Sequence, residues 1–253
     1  MIPGYFVSEQ QSHAHSLGTL NMLYEYDDFM SSVSTVADMG CGLGADLEWW
    51  ATRTTRDDVK RQLNIRCFGV DRREELSVAQ RYKNIQYLRQ DFEEPILMPK
   101  KTTFDVVWCH DAFQYVTEPF PTLANWWRSM TPDGTLVLIL PQTTNIEFNV
   151  QAFDQRDGVY YNWTMVSLIH ALATSGFDCG AGFFLKQAAD PWIHAVVYRS
   201  SHAPMDPKKT SWQELSDKRL LPECVDRSIF KHGHVRQRDL LLPWLDRSLR
   251  YVE

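Results

Sequence analysis

Three glycines separated by single residues, Gly40, Gly42 and Gly44, close the short apolar run Thr35-Val36-Ala37-Asp38-Met39 and stand just before Asp46-Leu47-Glu48-Trp49-Trp50. An apolar run, a glycine cluster and a helix-compatible segment read as strand, tight turn and helix. Glycine is needed in such a turn because the backbone angles would strain a side chain. A ligand, moreover, reaches the main chain only where no Cβ stands. The helix that follows offers unpaired N–H groups at the same place. The pattern opens a nucleotide-binding α/β unit; the alternative is an ordinary strand–helix turn.

Two ligand classes use a turn of this kind. Gly40-x-Gly42-x-x-Ala45 fits the loose dinucleotide fingerprint, which expects an acid about 20 positions further on for the ribose. The next acid that ends a strand, Asp71 in Cys67-Phe68-Gly69-Val70-Asp71, comes later than that. Asp38 tips the balance, because a carboxylate two residues before the first glycine would repel a pyrophosphate.

The run Val36-x-Asp38-x-Gly40-x-Gly42-x-Gly44 resembles the first motif of the class I S-adenosylmethionine-dependent methyltransferases. Phe104-Asp105-Val106-Val107 is similar to that family's fourth strand. Pro132-Asp133-Gly134-Thr135-Leu136 looks like its turn into the fifth, and Gly176-Phe177 like the close of its last helix. The resemblance spans about residues 33–200. It implies an α/β, Rossmann-like sheet of seven strands, mostly parallel with a C-terminal antiparallel hairpin, and helices on both faces. S-adenosyl-L-methionine would be the cofactor and S-adenosyl-L-homocysteine the product. Asp38, Gly40, Gly42 and Gly44 would then hold the methionine portion, Asp71 the ribose, and Arg72, Asp91 and Phe92 the adenine, with Cys109 among the cofactor contacts. Independently of any family, a carboxylate at a strand tip accepts two hydrogen bonds from vicinal ribose hydroxyls. For Asp91 and Phe92 the alternative is a helix cap and a core aromatic.

Ahead of the glycines, Leu17, Leu20, Leu23 and Met30 suit an amphipathic helix over about Ser16–Met30. Residues 1–15 show no periodicity, and His13 and His15 read as part of a loose arm rather than a metal site. After the glycines, strands are expected at Ile65–Val70, Ile85–Leu88, Phe104–Val107 and Leu136–Leu140, with helices over 73–83 and through Leu123, Trp126 and Trp127. The near-continuous apolar run of the fourth strand implies burial on both faces of a parallel sheet. Residues just past it reach the ligand crevice of an open α/β sheet, so His110, Asp111, Gln114 and Tyr115 are the polar groups nearest any chemistry. The connection 142–161 is long for a compact domain, and such connections are as a rule either functional or without fixed structure. A helix through Val166, Ile169 and Leu172 precedes the hairpin Phe177–Lys186 and Trp192–Tyr198.

His110 is the candidate catalytic base, since imidazole titrates near neutrality; the alternative is a packed ring whose backbone lines the cofactor. His110, Gln114, Tyr115 and Tyr160 are the candidate acceptor contacts. Three parts are expected: an N-terminal helical cap (1–32), the core domain (33–200), and a partly helical extension (201–253) introduced by a linker at Ala203–Pro207. The extension is a candidate homodimer surface.

The acceptor class is narrowed by what the chain lacks. No Asp/Asn-Pro-Pro-aromatic signature follows the fourth strand and no Pro-Cys pair occurs, which removes the usual nucleic-acid base methylators. A net charge of −6 disfavours a phosphate backbone, although Lys208–Glu253 carries ten Lys and Arg against seven Asp and Glu. Five scattered cysteines with no C-x-x-C suit buried thiols in a reducing compartment and give neither a disulfide framework nor a zinc site. No apolar run of about 18 residues offers a membrane span, and no secretory signal is visible. The sequence thus predicts a cytoplasmic S-adenosylmethionine-dependent methyltransferase that acts on the O or N of a small molecule. Its rivals are a nicotinamide-dependent oxidoreductase and a non-catalytic S-adenosylmethionine-binding protein.

Overall fold

The computed structural model describes residues 9–74, 77–98, 102–141, 161, 163–186 and 192–226. Seven strands form one sheet: β1 (Thr35–Met39), β2 (Arg66–Asp71), β3 (Ile85–Arg89), β4 (Phe104–His110), β5 (Met130–Pro141), β6 (Phe177–Lys186) and β7 (Trp192–Arg199). Their order is β3-β2-β1-β4-β5-β7-β6. The first five pair in parallel, and β7 runs antiparallel between β5 and β6. The order reverses between β1 and β4, so the carboxyl ends of these strands open a crevice.

Strand side chains alternate between two apolar layers. Ala37, Val107 and Leu138 face one core with α5 (Pro119–Ser129) and α6 (Met165–Thr174). Val36, Val106 and Trp108 face the other with α1 (Glu9–Tyr24), α2 (Asp27–Ser32), α3 (Ala45–Ala51) and α4 (Ser77–Arg81). Both faces are covered, which is why β1 and β4 read as unbroken apolar runs.

Four local expectations are corrected. The helix expected over Ser16–Met30 is two helices, the first beginning at Glu9, so His13 and His15 belong to α1 rather than to a loose arm. The helix expected over 73–83 spans only Ser77–Arg81 among the described residues. The turn expected at Thr131–Thr135 lies within β5, as an excursion where the pairing register jumps from Met130 to Thr135. The linker at Ala203–Pro207 is pinned: the Met205 N–H donates to the Thr174 carbonyl at 2.9 Å, and Met205 packs on the core. Beyond it, Leu215 of α7 (Trp212–Asp217), Leu220, Leu221 and Val225 join the same core. The turn at 188–191 and everything after Asp226 lie outside the described residues.

Gly176 closes α6 with φ +86°, and a Cβ there would stand 2.5 Å from the His202 carbonyl oxygen. Gly176→Ala should therefore lower the unfolding free energy by about 1–3 kcal/mol in urea titration, through backbone strain and collision with main chain that has no room to move.

Candidate active site

The loop after β1 turns on three left-handed glycines, Gly40 (φ 75°), Gly42 (φ 55°) and Gly44 (φ 82°). Its first N–H groups are used locally: Gly40 and Cys41 both donate to the Val70 carbonyl, at 2.8 and 3.3 Å, and Gly44 donates to that of Cys41. A Cβ on Gly40 would lie 2.4 Å from the Ala112 Cβ and 3.3 Å from Phe92, so a side chain is excluded by space as well as by φ. At the tip of β2, Asp71 accepts the Gly42 N–H through Oδ2 at 3.0 Å and the Arg73 N–H through Oδ1 at 3.1 Å. The second strand's carboxylate thus holds the first strand's loop.

This loop walls a cavity of about 580 Å³ whose other lining includes Asp38, Asp46, Asp71, Arg72, Phe92, His110, Asp111, Tyr115 and, from α1, His13. The structure therefore brings together Asp38, Gly40, Gly42, Gly44, Asp71, Arg72, Phe92, His110 and Tyr115. Three expected residues stand apart. Cys109 points into the α5–α6 core, because strand alternation sends Trp108 one way and Cys109 the other; burial pushes its thiol well up. Asp91 is not in the wall: it accepts the Glu93 N–H at 3.0 Å and lies 3.8 Å from the Arg72 guanidinium. Gln114 is buried behind the wall, donating to Asp111 Oδ1 at 2.6 Å. Tyr160 and the stretch 142–160 lie outside the described residues.

Two buried acids dominate the electrostatics. Asp38 is held well above the carboxylate range by burial, reinforced by the charges of Asp46 and Asp71. No described residue donates a hydrogen bond to it. Asp46, in the first turn of α3, is the functional residue the sequence reading missed. It accepts from His13 and Ser16 through Oδ1, and from Trp108 Nε1 and His110 Nδ1, both at 2.9 Å, through Oδ2. Burial alone would raise its pKa; the bonds from His110, His13 and Ser16 overcome that and hold it below the usual range. The available signal was an acid one residue past the glycine cluster, in a helix otherwise rich in Leu47, Trp49 and Trp50. On the far side of the His110 ring, Nε2 is buried and has no partner among the described residues. Nearby, Trp192 stacks on His15 at 4.5 Å, and His194 Nδ1 lies 2.8 Å from the Thr19 hydroxyl.

Residues 37–138 match a family model described as a methyltransferase domain. Over these residues the chain is similar to a methyltransferase domain, and its sheet order is that of the class I methyltransferase fold. The cofactor of that family is S-adenosylmethionine. No curated sequence matches the chain. Among solved structures of similar fold, the 1,6-didemethyltoxoflavin-N1-methyltransferase of Burkholderia thailandensis, with 1,6-didemethyltoxoflavin and S-adenosylhomocysteine bound, has a TM-score of 0.56 at 14% identity. The match covers 77% of this chain and 82% of that one. The YcgJ protein of Bacillus subtilis has a TM-score of 0.55 at 13% identity over 74% of this chain and 100% of its own. Human N-acetylserotonin methyltransferase, in complex with S-adenosylmethionine, has 0.52 at 13% identity over 76% of this chain and 55% of its own. Among the described residues, no group of His, Cys, Asp or Glu is arranged to hold a metal ion. No helix there is long and apolar enough to cross a membrane.

The protein should lose stability as pH falls from about 6.5 to about 4. Burial, with the charges of His110 and His15, depresses His194 to about 4, so over this window the unfolded chain binds a proton there that the folded one refuses. The loss from this group is on the order of 3 kcal/mol. Chemical denaturation at pH 7 and pH 4.5 should show a smaller pH effect in His194→Gln than in the wild type. His13, raised by its bond to Asp46, acts oppositely: its contribution is present below the ordinary histidine pKa and is lost as pH rises through the raised value.

Proposed function

We propose that the protein transfers a methyl group from S-adenosylmethionine to the oxygen or nitrogen of a small molecule, with His110 as general base. The observation that carries the cofactor reading is Asp38: a buried carboxylate in the cavity wall, beside the glycine loop, with no described donor. Such a group is satisfied by a cationic donor and repels a phosphate. The α-ammonium of the cofactor's methionine end is a donor of that kind. The cavity of about 580 Å³ lies within the range of roughly 300–1,000 Å³ usual for small-molecule sites. The bare approach at Gly40, where a Cβ would collide with Ala112, supports close contact with a ligand. Asp71 and Phe92 are proposed to hold the ribose and to line the adenine, with Arg72 beside it. Where they stand, Asp91 and Gln114 support the wall from behind it.

When bound, S-adenosylmethionine supplies a sulfonium-activated methyl group, whose displacement requires in-line alignment and a dry site. The protein's own contribution is a base for acceptors that arrive protonated. His110 has its Nδ1 turned to Asp46, and its Nε2 has no partner among the described residues, which supports Nε2 as the nitrogen that takes the acceptor's proton. A small-molecule acceptor is further supported by the net charge of −6 and by the named substrates of the structural relatives from Burkholderia and human. Four buried thiols, Cys41, Cys67, Cys109 and Cys179, suit a cytoplasmic setting.

Calorimetric titration should show binding of S-adenosylmethionine and S-adenosylhomocysteine and none of NAD; binding of NAD alone would overturn the reading. Asp71→Ala should weaken S-adenosylhomocysteine roughly 5- to 150-fold through loss of buried hydrogen bonds. Because Asp38 is raised in the free protein and must ionise to hold an ammonium, binding should release protons and weaken as pH falls. Titrations in two buffers of different ionisation enthalpy measure that release, which Asp38→Asn should abolish.

A further inference from the structure

Asp46 divides its two oxygens between two parts of the fold. Oδ1 takes the donors of α1, His13 and Ser16, the latter at 2.6 Å; Oδ2 takes those of β4, Trp108 and His110, at 2.9 Å each. Ser16 and Trp108 are fully buried, so α1 covers the Oδ1 side of the carboxylate and β4 its Oδ2 side. The apolar contacts of Leu20 and Leu23 with the α3 layer bring α1 there. We infer that Asp46 is a positioning residue: it fixes the His110 ring with Nδ1 toward α3, which leaves Nε2 as the nitrogen without a partner among the described residues, and it does so fully only when α1 is docked.

The inference rests on reading His110 as the base, and it adds to that reading the element that controls it. A carboxylate that accepts Nδ1–H forces a neutral imidazole into the tautomer whose Nε2 carries the lone pair. In a dry setting that bond is stronger than in water, so it holds the ring orientation and tautomer more firmly. His13 and Ser16 supply the dryness and two further donors. A docked α1 therefore couples completion of the cavity wall, in which His13 itself stands, to presentation of the base. Around His110 the other titratable groups are Asp38 on β1, His13 and His15 on α1, Asp111 after β4 and His194 on β7. Among the described residues, only Asp46 holds its Nδ1.

The test needs no acceptor. In the ¹⁵N-labelled full chain, His110 imidazole signals are assigned by their loss in His110→Gln. Wild-type His110, when neutral, should be protonated at Nδ1 with Nε2 bare, and Asp46→Asn should move it to the Nε2–H tautomer. His13→Ala/Ser16→Ala keeps both Oδ2 partners. In that double variant, amide exchange along α1 should quicken by at least about tenfold, and the His110 Nδ1 proton should move upfield as water reaches the carboxylate. An unchanged His110 tautomer in Asp46→Asn overturns the role. So does an unmoved Nδ1 proton in the double variant, which decides the matter alone if Asp46→Asn does not fold. Calorimetry with S-adenosylhomocysteine separates the two levels: if the wild type fails to bind it while His110 and α1 respond as stated, the cofactor reading falls and the positioning role of Asp46 stands.

Discussion

The site depends on the bond from the Gly42 N–H to the Asp71 carboxylate, which ties the loop after β1 to the tip of β2. The loop must pass through left-handed backbone at Gly40, Gly42 and Gly44 to clear Ala112 and Phe92, and no other residue type makes that passage without strain. Once tied, it sets the start of α3 and with it Asp46. Parallel pairing of β1 with β4 then sets His110 opposite.

Two carboxylates share this cleft in opposite states. Asp38 has no donor among the described residues and is held toward its neutral form; Asp46 accepts from four groups and is held toward its ionised form. Environments that push like groups apart mark a division of labour. The unsatisfied acid is placed to receive a cationic ligand, and the satisfied one organises protein. The same contrast distinguishes the two nitrogens of His110, one bonded and one buried without a partner.

Much of this was legible in the sequence, because parallel strands buried on both faces leave runs such as Val36-Ala37 and Val106-Val107-Trp108 that only one architecture explains. The glycine spacing and Asp38 likewise pointed to the cleft. The failures have a common cause. The start of α1 was hidden because Glu9–His15 is polar apart from Ala14, so no apolar periodicity marks it. Hydropathy is silent at the positions where a helix meets a polar site. Asp46 was passed over for a related reason: an acid in a helix, here beside Glu48, reads as surface until its partners, 30 or more residues away, are known. Cys109 was misplaced by one step of strand alternation, and Asp91 by a local turn that uses its carboxylate.

The central claim is that Asp38 and Asp71 divide one ligand between them, an ammonium on the first and a ribose on the second. A crystal structure of the protein with S-adenosylhomocysteine tests it directly. The account predicts the α-ammonium within hydrogen-bonding distance of Asp38 and the ribose hydroxyls on Asp71, with the His110 Nε2 facing the open end of the cavity. A nucleoside bound elsewhere, or a methionine end turned away from Asp38, would contradict it.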